Sequence, residues 1–186
     1  MRAAWLGILA AATLTVAAHP LLAQDEGKTA AAELEAASKA ALQKLYATAP
    51  LAKGIGPTAH AILVFPKVTK AGLGIGGQYG EGALLKNGTA VAYYKTTGAS
   101  VGLQAGGQTY GYAMFFMNAK AVEQLDNKNG FEVGVGPSIV VVDEGMAKTT
   151  TTNTLKDDIY AFVFGQKGLM AGLGIQGNKI AKITPK

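Results

Sequence analysis

The apolar positions of the chain follow a helical spacing at first and a strand-like spacing afterwards. Residues 25–47 are rich in the strong helix formers Ala, Leu, Glu and Lys. Four apolar side chains recur there near helical spacing: Leu34, Ala41, Leu42 and Leu45. This pattern predicts one long helix that packs on the rest of the domain through its leucine side or, alternatively, lies on a membrane surface.

Beyond residue 58, short apolar runs alternate with turn signals. The run 59–65 is apolar and is followed by Pro66, which predicts a short buried strand that ends there. The pair Asn87-Gly88 favours a tight hairpin turn, so the segments on its two sides are expected to pair antiparallel. Further elements are predicted downstream: a short inserted helix within 117–128, and strands within 131–142, 158–165 and 166–183.

Glycine recurs throughout the strand-like segments. It takes alternate places in the stretch 71–82, AGLGIGGQYGEG, and the pattern returns at 171–177, AGLGIQG. On such a strand Leu73 and Ile75 share one face and the glycines share the other, because neighbouring strand residues point to opposite sides. We expect other backbone to approach this bare face closely. The predicted structural glycines are Gly72, Gly74, Gly76, Gly172 and Gly174.

Together these elements predict an α+β fold. It consists of an N-terminal helix and a strongly curved, mostly antiparallel, glycine-rich sheet or partial barrel, with one or two short inserted helices. With 186 residues, 49% of them hydrophobic, the chain is sufficient for one globular domain. We expect three parts: an export signal at 1–23, the helix and a linker at 24–58, and the main domain at 59–186.

The expected export signal consists of Arg2, an apolar stretch and a plausible cleavage site before Gln24. A retained membrane anchor is the alternative interpretation, although the apolar stretch is shorter than the ~20 residues that span a bilayer. The chain has no cysteine, which excludes disulfides, thiolate metal sites and a lipid-modified cysteine. The predicted location is therefore periplasmic or secreted, without a lipoprotein tether.

The charge distribution suggests an anionic partner. The chain has 17 basic and 12 acidic residues, and loss of Arg2 with the export signal would leave 16 basic residues and a net charge near +4. Several lysines lie around the predicted hairpin near tyrosines, a combination that suits anionic lipid headgroups. The candidate lipid-binding residues are Lys67, Lys70, Lys86, Lys95 and Tyr94. No nucleic-acid recognition motif is present, and the basic residues are too sparse to predict a nucleic-acid partner.

The sequence gives little reason to predict a catalytic or cofactor-binding site. Both glycine stretches satisfy G-x-G-x-x-G, but dinucleotide binding requires that motif to turn a strand into a helix, and the sequence predicts no helix after either copy. His60 is the only histidine outside the export signal and lies beside an apolar run, where a packed or strand-end role is typical. We therefore predict no catalytic residue, no metal site and no cofactor.

The chain resembles the SYLF family. Four stretches carry the resemblance, and they cover 62–85, 96–118, 130–145 and 155–180. The resemblance implies a lipid-binding domain without catalytic residues, with phosphoinositide and actin partners in eukaryotic members that do not transfer to this chain. The expected function is non-enzymatic binding of anionic lipid or a membrane surface in the bacterial cell envelope. Two alternatives stay open: a structural or stress-related envelope protein that binds itself or another protein, and an enzyme or small-ligand carrier, which would need a cavity.

Overall fold

The computed structural model describes residues 20–127, 130–133, 139–142, 156–168 and 177–186. Two helices and a 3-10 turn come first: α1 (Pro20–Thr48), α2 (Pro50–Ile55) and Gly56–Thr58. Two long strands follow, β1 (Ala61–Lys86) and β2 (Thr89–Phe116). The later elements are α3 (Ala119–Glu123), a 3-10 turn (Gln124–Asp126), β3 (Phe131–Glu132), β4 (Ile139–Val142), β5 (Ile159–Gly168) and β6 (Lys179–Ile183). The predicted α+β class is confirmed, with the sheet curled into a half-barrel.

Strands β1 and β2 form one long antiparallel ribbon. They pair from Lys86 opposite Thr89 to Ala61 opposite Phe116. The turn between them is the predicted Asn87-Gly88 pair, with φ of 51° and 78°. Two positive φ angles in a two-residue loop match the right-handed twist of the flanking strands, and Asn and Gly tolerate them best. The predicted hairpin is therefore confirmed.

The prediction that the first strand ends at Pro66 is wrong. Strand β1 continues through the proline, and the pairing register shifts between Phe65 and Val68. Proline lacks the N–H that a regular ladder requires, and an irregularity in the pairing accommodates it without ending the strand. The segment 59–65 and the first glycine stretch thus belong to a single element.

The ribbon folds back on itself, so that its two halves face each other. A Cβ added to Gly82 would meet the carbonyl oxygen of Val64, and one on Gly80 would lie 2.8 Å from that of Lys67. The fold occurs between Gly72 and Gly76, because a Cβ on Gly72 would meet the backbone of Gly76. We call residues 72–76 the bend.

Strand β2 connects the two halves of the sheet. Its residues 108–116 pair with β5, whereas its residues 93–97 pair with β6. Strand β3 extends the sheet beyond β6, and β4 extends it beyond β5 as the one parallel pair among the described strands. At the bend, Leu73 faces Ala105 and Ile75 faces Val101, so residues 102–104 of β2 lie opposite Gly74 alone. Strand β2 thus takes the longer path around the bend, which curves the ribbon.

The curled sheet packs on both faces. Its inner face forms one core between the two halves, with Phe65, Tyr112 and Phe116 among its buried side chains. Its outer face packs on α1 and α2, where Leu45 meets a cluster that contains Val64 and Phe115. Successive residues of a strand pack in different cores, because they point to opposite sides of the sheet.

Helix α1 docks as predicted, through its leucine side. Leu42 and Leu45 are buried against the sheet, and Ser38 donates a hydrogen bond of 3.2 Å from its Oγ to the carbonyl oxygen of Val64. None of the described helices is long and apolar enough to cross a membrane.

The short inserted helix is also confirmed as α3. The side chain of Asn118 caps it by accepting a hydrogen bond of 2.8 Å from the Ala121 N–H. The amide of Asn118 donates a second hydrogen bond of 2.7 Å to Asp158, just before β5. One side chain therefore anchors the helix to the neighbouring strand.

Candidate functional site

The bend exposes two large apolar side chains. Leu73 is 82% exposed and Ile75 is 75% exposed. Each follows a glycine at the tightest part of the fold, where Gly72 approaches the backbone of Gly76. The glycine face packs inward, as the alternation predicts, and the apolar face is left in solvent. An apolar projection of this kind is a typical site for contact with a membrane or a partner.

Basic side chains lie along the outer face behind the bend. Lys67, Thr69, Ala71 and Leu73 are successive outward positions on β1. Thr69 pairs with Thr109, which in turn pairs with the exposed Lys167 of β5. At 3.3 Å per residue, the row of Thr69 and Lys167 lies roughly 13 Å behind Leu73, and Lys67, six residues before Leu73, lies roughly 20 Å behind it. We call Lys67 and Lys167 the basic pair.

The five residues predicted to bind lipid do not form one surface. Lys67 is exposed near the bend, whereas Lys86 is exposed at the hairpin turn, at the other end of the ribbon. Lys95 is half-buried opposite Glu81. Lys70 and Tyr94 are only 7% and 2% exposed, because the register places both on the inner face of the sheet. The interpretation of Lys70 and Tyr94 as surface contacts is therefore corrected.

A polar cluster lies inside the curled sheet, just behind the bend. Tyr110 donates a hydrogen bond of 2.9 Å from its hydroxyl to Gln78 Oε1, and the amide of Gln78 donates to Asn178. Gln108 is buried beside them, opposite Lys70 in the pairing of β1 and β2. The sequence contained a signal for this cluster: polar residues replace apolar ones at inward positions near the bend.

The polar cluster is incompletely satisfied. Within the part of the chain that the structure describes, four buried polar atoms have no hydrogen-bond partner: Thr96 Oγ1, Gln108 Oε1, Tyr112 OH and Asn178 Nδ2. Burial raises the pKa of Tyr110 to about 12 and raises that of Tyr112 still further. Burying polar atoms without hydrogen bonds is costly, so this cluster is a weakly stabilised part of the interior.

The glycine motifs and His60 do not form a catalytic or cofactor site among the described residues. The first G-x-G-x-x-G copy lies inside β1, where the chain stays extended through Lys86 and forms no helix N-terminus. The second copy, with Gly172 and Gly174, lies outside the described residues, as does the start of the predicted export signal. His60 is exposed, directly before β1. The described residues contain no group of three or more His, Cys, Asp or Glu side chains that could hold a metal ion.

One protein-family model matches part of this chain. Residues 97–184 match the family model described as Ysc84, a Las17-binding protein actin regulator. This segment belongs to the SYLF family. The expected resemblance is thereby confirmed. Proteins of this family are lipid-binding and actin-associated. Among curated proteins, none matches the chain.

The SYLF match begins within β2 and includes the later strands, whereas α1 and β1 precede it. It therefore covers Lys167 of the basic pair and residues 101–105 of β2, which lie opposite Leu73 and Ile75 of the bend. Leu73, Ile75 and Lys67 lie on the paired strand outside the matched range.

Proposed function

We propose that this chain is a non-enzymatic domain that binds anionic membrane surfaces through the bend. The observation that carries the proposal is the exposure of Leu73 and Ile75 on a narrow, glycine-lined fold of the ribbon. The basic pair behind them would meet the headgroups, and the lipid-binding character of the family supports the same conclusion. The export signal expected at 1–23 supports a place in the bacterial cell envelope.

The expected affinity is modest. Transfer of one large aliphatic side chain out of water contributes roughly 1.5–3 kcal/mol, so two contribute about 3–6 kcal/mol. Each of the two lysines of the basic pair adds about 1 kcal/mol near an anionic surface. The total of roughly 5–8 kcal/mol corresponds to dissociation constants from about 0.2 mM to about 1 μM. Binding through the bend should therefore be reversible and easily lost.

Flotation with phosphatidylglycerol-containing vesicles tests this proposal. The double variant Leu73→Asp/Ile75→Asp should lose at least tenfold in vesicle affinity, because it replaces the inserting side chains with charged ones. Val91→Asp is the matched control: Val91 is also exposed, at 57%, but lies near the hairpin turn. It should bind like the wild type. Equal binding by all three proteins, with unchanged melting temperatures, would contradict the proposal.

A second candidate function is self-association through the edge of the sheet. Among the described strands, β1 pairs with β2 alone, which leaves its other edge without a strand partner. An unpaired edge is a template for a further strand. Light scattering of the purified chain tests this candidate, since a mass that stays monomeric up to high concentration excludes it.

A further inference from the structure

A concave surface lies away from the bend, near the hairpin end of the ribbon. It is a groove of about 840 Å³ between the start of α1, strand β2 and the residues that follow β6. Tyr93 in its wall is eight residues from Val101, which pairs with Ile75 at the bend. Eight residues of extended strand span about 26 Å. The groove and the bend are therefore separate sites.

Regular structure builds the walls of the groove. Tyr93 pairs with Ile183 in the ladder between β2 and β6. Helix α1 forms the facing wall with Ala31, and Pro185 approaches its first turns, with its carbonyl oxygen 3.4 Å from where a Cβ on Gly27 would lie. Because α1 and the β2–β6 ladder hold all but the last three lining residues, most of the groove exists before any ligand arrives. Its size is within the usual range of small-molecule sites, ~300–1,000 Å³.

The lining combines an apolar floor with basic groups. Its apolar residues are Ala31, Ala92, Tyr93, Ile183 and Pro185. Three lysines line it, Lys28 on α1, Lys182 on β6 and Lys186 after β6, and Glu26 is the one acidic side chain among the lining residues. Lys182 also lies 3.9 Å from Asp126, but both side chains are mostly exposed, so that ion pair is weak and readily exchanged.

We propose that this groove binds a long-chain fatty acid. The apolar floor suits one acyl chain, and the ammonium groups of Lys28 and Lys182 suit its carboxylate. The inference goes beyond the proposed function, since it concerns a single bound molecule at a site that a membrane-bound bend leaves open. It also assigns a ligand-binding role to α1, which precedes the family match.

Titration of the chain with palmitate, by displacement of a fluorescent fatty-acid analogue, tests the apolar part of the site. Saturable binding of one molecule per chain is expected. Ala31→Trp should weaken it at least tenfold by filling the groove. Ala32→Trp is the matched control, because Ala32 is the next residue of α1, is exposed and does not line the groove. Absence of saturable binding, or equal loss in both tryptophan variants, overturns the proposal.

The charge requirement is tested separately, and it keeps the proposal falsifiable if Ala31→Trp does not fold. Lys28→Ala/Lys182→Ala should bind palmitate about tenfold more weakly, yet bind hexadecanol, which has no carboxylate, as the wild type does. Lys44→Ala, exposed elsewhere on α1, should change neither. Equal palmitate binding by the double lysine variant and the wild type overturns the assignment.

The two proposals can fail independently. Leu73→Asp/Ile75→Asp should lose vesicle binding and keep palmitate binding, whereas Ala31→Trp should do the reverse. If the bend variant loses palmitate as well, the groove is not the site where palmitate binds.

Discussion

Single glycines determine how closely the two halves of the ribbon approach. Gly80 and Gly82 are buried where β1 faces its own first half, and at each of them a Cβ would collide with backbone. Backbone cannot rotate away as a flexible side chain can, so the clash would have to separate the halves. Of the predicted structural glycines, Gly72 has such a contact, whereas Gly172 and Gly174 lie outside the described residues.

The substitution Gly82→Ala should lower the free energy of unfolding by about 1–3 kcal/mol or more, because the added methyl group overpacks against Val64. Urea denaturation measures the change. Gly77→Ala is the matched control on the same strand, since the nearest atom to its Cβ would be 3.8 Å away. The control should stay within about 0.5 kcal/mol of the wild type. Similar unfolding curves for the two variants would refute the close-packing account.

Tyr110 should make the fold sensitive to alkali. Its pKa is raised from 10.0 to about 12 in the folded protein. The folded state therefore keeps the phenolic proton at pH values where the unfolded chain releases it. The stabilisation is complete below pH 10 and is lost as the pH rises from 10 through about 12, at up to about 1 kcal/mol per pH unit.

Urea denaturation between pH 8 and pH 12 measures this loss for the wild type and Tyr110→Phe. The variant should be less stable at pH 8 by about 1 kcal/mol, because the hydrogen bond to Gln78 is gone, and should lose less stability above pH 10. Identical pH profiles would show that Tyr110 does not carry the alkaline sensitivity.

At the scale of elements, local signals were sufficient for several predictions. The hairpin at Asn87-Gly88, the docking of α1 and the position of α3 all follow from short-range preferences that no distant contact overrides. Pro66 shows the limit of such signals. It marks the end of a strand in isolation, whereas the paired strand beside it allows β1 to continue with a shift in register.

The same shift determines that Lys70 rather than Lys67 is the predicted lysine that faces inward. Before it, Phe65 and the odd-numbered residues of β1 face inward; after it, Val68 and Lys70 do so. Inward and outward positions thus exchange across the irregularity, and alternation in the sequence cannot reveal where that happens. The exposure of Leu73 and Ile75 was unpredictable for a related reason, since it depends on how tightly the distant halves of the ribbon close.

The docking of α1 should contribute several kcal/mol. Leu45→Ala removes a buried side chain from the core between α1 and the sheet, and it should lower the free energy of unfolding by about 2–5 kcal/mol. Lys44→Ala, one residue earlier and exposed, should change it by less than about 0.5 kcal/mol. Thermal and urea denaturation measure both. Unchanged stability in Leu45→Ala would mean that α1 is only loosely attached.

At the scale of the whole molecule, the folded ribbon separates three regions. The apolar cores lie toward the hairpin end, the groove lies beside them against α1, and the bend projects at the opposite end. A membrane bound at the bend would therefore leave the groove accessible. Two kinds of lipid contact can coexist on one small domain in this arrangement.

The position of each lysine should determine its effect on vesicle binding. Lys67→Ala, near the bend, should weaken binding to anionic vesicles by about 1 kcal/mol, or roughly fivefold, at low salt. Lys86→Ala, at the hairpin turn, removes the same charge far from the membrane and should have no such effect. The difference should shrink at high salt, because ions screen surface charges. Flotation at two salt concentrations measures it, and equal losses in the two variants would rule out this orientation on the membrane.

The polar cluster behind the bend has a consequence for the motion of the protein. Buried atoms without partners and glycine in place of apolar side chains leave little to hold the two halves together there. Local opening should begin at the bend and spread toward the hairpin turn. Amide hydrogens at 69–71 should then exchange with solvent at lower opening free energies than those at 62–64, although all of them belong to β1. Uniform protection along the strand would show that the ribbon opens only as a unit; graded protection would give the domain a hinge that works without unfolding its core.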